Sequence, residues 1–216
     1  MQNIDLATLV IIAATVVVTL MGFKDTSFFD RYKFNIAGIK KGEKLRMFSS
    51  GFLHADVNHL LFNMLTLYFF APVVIAYLNT LLFVSIYFTA LLFGSWLSFV
   101  FHKHEPYYSA IGASGAVTGV LYAAILLNPT MSLYLFFVPI PIPAWLFGFG
   151  YLLYSIYGMV QKRDNIGHDA HFGGAIAGYV LTLLFAPYIL FDSFWIVGLL
   201  ALPIALLYYL KNSNKI

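Results

Sequence analysis

The longest stretches of this chain carry no charge. No Asp, Glu, Lys or Arg lies between Asp56 and Lys103, between Glu105 and Lys162, between Asp169 and Asp192, or between Asp192 and Lys211. A helix crossing the hydrocarbon of a bilayer needs about 20 mostly apolar residues. The first two gaps each have room for two such helices, and the last two for one each. The run from Leu6 to Gly22 supplies another. Its flank carries Asp5 and no Lys or Arg, and no small-residue cleavage site follows, so it reads as a retained span rather than a signal peptide. Spans are therefore expected near 6–22, 57–77, 80–101, 114–128, 143–160, 170–190 and 194–210.

Composition agrees with this reading. The 216 residues are 61% hydrophobic and 10% charged, whereas soluble domains are about 25% charged. The absence of Cys excludes a disulfide framework and a Cys-ligated metal. The net charge of +3 is small and is not gathered into a basic module, so nucleic acid is not an expected partner. No internal repeat or low-complexity linker is visible, which predicts one membrane-embedded domain over 1–216. The one long polar connection, residues 23–53, mixes Lys and Arg with Phe28, Phe29, Tyr32 and Phe34, a pattern that suits a folded interfacial loop.

Polar side chains inside spans are candidate functional groups. The second span opens HADVNHLLFNML, with His59 and Asn63 four apart and so one turn apart on one helix face. The fourth opens Gly112-Ala-Ser114-Gly115, and Gly115 with Gly119 forms a GxxxG that lets another backbone approach. The fourth helix spans roughly 22 Å at 1.5 Å per residue, short of a core about 30 Å thick. Ser114 is thus expected below the membrane surface, in a water-filled recess. The sixth span opens HDAHFGGAIAGY, placing His171, Gly174 and Gly178 on one stripe. Packing that stripe on Gly115 and Gly119 brings His171 beside Ser114. A serine hydroxyl becomes a useful nucleophile when an adjacent base accepts its proton. Asp169 lies about 200° around the helix from His171 and is not expected to orient it, so the pattern implies a Ser–His dyad. His59, Asn63 and the unbonded N–H of Ser114 could hold an oxyanion.

These residues resemble the rhomboid intramembrane serine proteases. The elements that carry the likeness are Gly112-Ala-Ser114-Gly115, His59 with Asn63, and Ala170-His171 with Gly174 and Gly178, in order along the chain. Arg46 and His54 also look like family positions. No one motif decides, but each stands at the mouth of an expected span. The resemblance implies an all-α polytopic membrane protein with seven spans: a six-helix core over about 6–190 and an extra C-terminal helix at about 194–210. It implies cleavage of the spanning segments of other membrane proteins, with Ser114 as nucleophile, His171 as general base, and His59, Asn63 and Gly112 around the oxyanion. It implies no cofactor and no metal. The lipid bilayer and transmembrane protein substrates are the expected partners, and the plasma (inner) membrane the expected location. The rival readings are a catalytically silent rhomboid-like binder of membrane clients and a small-solute transporter; the second would favour repeated halves and mid-membrane polar groups.

The chain departs from the family pattern in two places. The position one turn after the serine, often aromatic, is Thr118, whose hydroxyl is expected to help fix His171. Leu45 stands where a Trp commonly precedes the arginine. Orientation stays open. Every Lys and Arg falls on the face where Ser114 opens, which the positive-inside rule assigns to the cytoplasm, while bacterial and secretory relatives usually open to the other side. His102 and His104 form an H-x-H with no third ligand nearby and read as a solvated rim. The proline run at 139–143 reads as a helix breaker before the fifth span.

Overall fold

A computed structural model describes residues 4–134, 140–161 and 166–213. Among the described residues, seven long or mid-length helices fall in the expected segments: α1 (Leu6–Lys24), α5 (Val57–Leu78), α6 (Thr80–His102), α7 (Ser114–Leu127), α8 (Ala144–Gln161), α9 (His168–Phe185) and α11 (Phe194–Asn212). Between α1 and α5 lie three short helices, α2 (Thr26–Tyr32), α3 (Ile36–Lys40) and α4 (Arg46–Ser49); α10 (Ile189–Asp192) precedes α11. Among the described residues, four helices, α1, α5, α6 and α11, are long and apolar enough to cross a membrane, and α7 is a shorter apolar one.

The core sits around α7. Every residue of α7 from Gly115 to Leu127 is buried, as expected of a helix that is apolar on all sides. α6 and α9 pack closely on α7 and on each other, α5 packs on another side of α7, and α8 joins α9 to α11. The outer faces of α1, α5 and α11 expose Leu9, Val17, Leu61, Phe69, Leu202 and Tyr208, which suits a lipid solvent.

α1 and α6 begin at the same end of the molecule. Asp5, which caps α1, accepts a hydrogen bond from the Thr80 hydroxyl at the start of α6. At the opposite end, Phe34–Asn35 (β1) pairs antiparallel with Ser109–Ala110 (β2), tying the first loop to the loop before Ser114. The first loop is folded, as expected. Arg46 holds it together, its Nη1 donating to the carbonyls of Asp30 at 2.7 Å and Lys33 at 3.0 Å. Leu45, in the place of the expected Trp, is 61% exposed and takes no part in that anchoring.

The helix at the expected sixth span, 170–190, stops sooner than expected. α9 ends at Phe185, capped by Ala186. Pro187 follows, and a residue before proline is pushed out of the helical region. Of the proline run at 139–143, Pro139 lies outside the described residues. Ile142–Pro143 forms a two-residue strand against Ser132–Leu133, so the segment ahead of α8 is extended.

Candidate active site

α9 lies against α7 through its glycines, as the stripes predict. A Cβ added to Gly174 would stand 1.9 Å from the Gly115 carbonyl oxygen, and one on Gly178 would stand 2.1 Å from that of Gly119. Gly115 and Gly119 face the Ala170 and Gly174 carbonyls at 3.2 and 3.0 Å in the same sense. A third participant was not legible in the sequence. Gly94 of α6 faces the Ala170 carbonyl at 2.6 Å, so α9 is pressed into a cleft between α6 and α7.

This packing puts His171 on Ser114. The Ser114 Oγ and His171 Nε2 are 2.6 Å apart, and both residues are half-buried. On the other side of the ring, Nδ1 lies 2.9 Å from the Tyr151 hydroxyl of α8. The two rings are near-parallel, with planes 21° apart. Thr118 stands beside the Tyr151 phenol. Tyr151 touches the imidazole and Thr118 stands on Tyr151, so the help expected of the Thr118 hydroxyl has a route to His171 through the phenol. One set of hydrogens satisfies the row. Ser114 Oγ–H donates to Nε2, Nδ1–H donates to the Tyr151 oxygen, and the phenol hydrogen is left for Thr118. Tyr151 was missed because α8 is rich in aromatic residues, and nothing in their spacing marks which hydroxyl turns inward. Asp169 does turn away from His171, toward His102.

His59 and Asn63 stand one turn apart on α5. Asp56 caps α5 and accepts the His59 N–H at 2.9 Å. Asn63 is buried and donates one amide hydrogen to the His59 carbonyl at 2.9 Å, leaving a second hydrogen on the same nitrogen. The His59 ring reaches Gly112. That glycine has φ of +121°, and a Cβ there would stand 2.8 Å from the His59 ring and 3.7 Å from Ser114 Oγ. Only glycine meets both demands comfortably. His59, Gly112 and Ser114 therefore converge on one point.

His54 positions the backbone that leads into Ser114. Thr19 of α1 donates its hydroxyl hydrogen to the Phe52 carbonyl at 2.9 Å and lies 2.9 Å from His54 Nδ1. The Ala113 N–H points to His54 Nε2 at 3.3 Å, and the Gly112 N–H donates to the Ser50 carbonyl at 3.0 Å. The consistent form of His54 is neutral, hydrogen on Nδ1. Burial first, and the neighbouring His59 second, lower its pKa to about 3, so the Nε2 lone pair persists at ordinary pH.

Beside Tyr151 an open apolar groove runs along α8, lined by Ile142, Leu146, Phe147, Gly150 and Tyr154. His102 is not the solvated rim expected of it. It is held between Glu105 and Asp169 and lies flat on Tyr108.

Comparison with known proteins places the chain in a family. The Rhomboid domain matches residues 41–188. The chain is 29% identical over 182 residues to RHOMBOID-like protein 12, mitochondrial, of Arabidopsis thaliana, covering 77% of this chain and 54% of that protein. It is 30% identical over 138 residues to Rhomboid protein 1, mitochondrial, of Saccharomyces cerevisiae, covering 62% and 40%. It is also 30% identical to the presenilin-associated rhomboid-like protein, mitochondrial, of Rattus norvegicus, covering 61% and 36%. The chain thus spans about half or less of the length of these relatives. All of them are named as mitochondrial, which overturns the expectation of a plasma-membrane location.

Proposed function

The chain belongs to the rhomboid family, and we propose that it is an intramembrane serine endopeptidase that cleaves the spanning segments of other membrane proteins. The observation that carries this reading is the 2.6 Å contact between Ser114 Oγ and His171 Nε2. In the proposed reaction, Ser114 gives its proton to His171 Nε2 as its oxygen attacks the scissile carbonyl carbon. Nδ1–H stays on the Tyr151 oxygen throughout and keeps the ring in the required tautomer. The oxyanion that forms meets the Ser114 N–H, the remaining Asn63 hydrogen and the His59 ring. Collapse breaks the C–N bond, and the proton on Nε2 passes to the leaving nitrogen. Water then attacks the acyl carbon and gives a proton to Nε2; collapse breaks the bond from that carbon to Ser114 Oγ, Oγ takes the proton back from Nε2, and the acid leaves.

We read the fold as a single domain with seven spans, α1, α5, α6, α7, α8, α9 and α11. α7 is about 21 Å long at 1.5 Å per residue, so Ser114 lies below the headgroups, where water must reach it. The groove along α8 is an approach for an apolar client beside Tyr151. A helix hides its carbonyls in hydrogen bonds, so a client with small residues and weak helicity at the scissile bond is the expected substrate class. The test is cleavage of single-span peptides of that kind, co-reconstituted with the protein in vesicles. Two products from the parent chain, and none from Ser114→Ala or His171→Ala, are expected. Peptides that bind and stay whole would make the protein a silent client binder.

A further inference from the structure

One group of charged residues is left unused by this reaction, and it lies at the end of α6. His102 stands between two carboxylates. Its Nδ1 is 2.8 Å from Glu105 Oε2, and its Nε2 is 3.5 Å from Asp169 Oδ2. The ring lies on Tyr108, centroids 3.5 Å apart and planes within 5°. Asp169 is 3% exposed, and Ser98 and Tyr108 also border its carboxylate. Tyr108 is fixed in turn: its carbonyl accepts the Ile36 N–H at 3.2 Å and the Asn35 amide at 3.3 Å.

The cluster joins the carriers of the two reacting side chains. Residues 103–113 run from His102 into Ser114, and Asp169 stands two residues before His171 on α9. An imidazolium carries a hydrogen on both nitrogens, one donated to Glu105 and one turned to Asp169 in an ion pair. A neutral ring has one hydrogen and must turn a lone pair on the other carboxylate. Asp169 is the buried one, and a buried charge without its counter-charge is costly.

We propose that His102, Glu105 and Asp169 form a proton-operated latch that positions the loop carrying Ser114 against the helix carrying His171. It is closed while His102 is charged and loosened when His102 is neutral. Its effect on rate rests on the hydrolase reading; its effect on stability does not. Among the described residues, the charged groups facing the ring are Glu105 from the loop and Asp169 from α9; Lys103 follows in the chain, and Lys211 of α11 lies over the adjacent Phe101 ring. Tyr108 is not the responsive group. Burial, with the Asp169 and Glu105 charges, holds its phenol well above the ordinary range.

The test uses the full chain in detergent, with two readouts from about pH 6 to pH 9, which take in the upper part of the range in which imidazole titrates, about pH 5 to 8. The first is the melting temperature of Ser114→Ala, which needs no activity. The second is the rate at which a fluorophosphonate labels the protein with Ser114 present. The latch predicts a melting temperature that falls with rising pH in Ser114→Ala and stays level when His102→Gln is added. Glu105→Gln, at a half-exposed position, moves the fall to lower pH. The labelling rate declines at the same midpoint, and His102→Gln removes that decline. Identical melting profiles with and without His102→Gln overturn the latch. A melting profile that depends on His102, with no labelling at any pH, supports the latch and sinks the hydrolase reading instead.

Discussion

Replacing Gly174 by alanine tests the packing on which the site depends. The new methyl would stand 1.9 Å from the Gly115 carbonyl oxygen, where a carbon–oxygen contact needs at least about 3.3 Å. α9 must withdraw from α7 by roughly an ångström, because the atom it meets is backbone and cannot rotate away. His171 travels with α9. Its 2.6 Å contact with Ser114 then opens past the range of a hydrogen bond, about 3.2 Å. Overpacking of this kind costs about 1–3 kcal/mol of stability, whereas an ångström of misplacement at a reacting pair costs on the order of 100-fold in rate. The rate of fluorophosphonate labelling should therefore fall about 100-fold, while the melting temperature falls by about 2–12 °C. Gly115→Ala, meeting the Ala170 carbonyl at 3.2 Å, should do less. Gly198→Ala, with nothing within 4 Å, should leave the rate unchanged. A folded Gly174→Ala protein labelling within about threefold of wild type, less than 1 kcal/mol, would refute the argument.

Three more outcomes follow from the same geometry. Tyr151→Phe removes one hydrogen bond to Nδ1 and should lower turnover about tenfold, the equivalent of roughly 1.4 kcal/mol, with KM little changed. Thr118→Val should lower turnover more than Thr118→Ser, because only serine can still take the phenol hydrogen; equal activities would remove Thr118 from the row. For His54, the folded pKa of about 3 lies below the ordinary 6.5, so the unfolded chain binds the extra proton between those values. This contribution to stability is complete above about pH 6.5 and is lost as pH falls toward 3, at up to about 1.4 kcal/mol per pH unit. Acid titration of the melting temperature, with His54→Gln lacking that component, checks it.

The long-range layout was legible because charge is excluded from hydrocarbon, so the gaps between charges marked the helices to within a few residues. The Ser114–His171 contact was legible because both residues share a stripe with glycines, and small residues announce where backbones meet. Tyr151 carried no such mark among its aromatic neighbours. Gly94 was a lone glycine whose partner, α9, is distant in sequence. His102 looked like a surface histidine because its nearer carboxylate, Glu105, is a loop residue. Its buried one, Asp169, is contributed by another helix, and only the packing of α9 against α6 brings the two together.

The most direct test of the central claim is the mass of a peptide. Fluorophosphonate-treated protein is digested, and the modified residue is located by mass spectrometry. The account predicts one adduct, on Ser114, absent from His171→Ala. A folded protein that takes no adduct, or takes it on another residue, or still takes it on Ser114 without His171, contradicts the account.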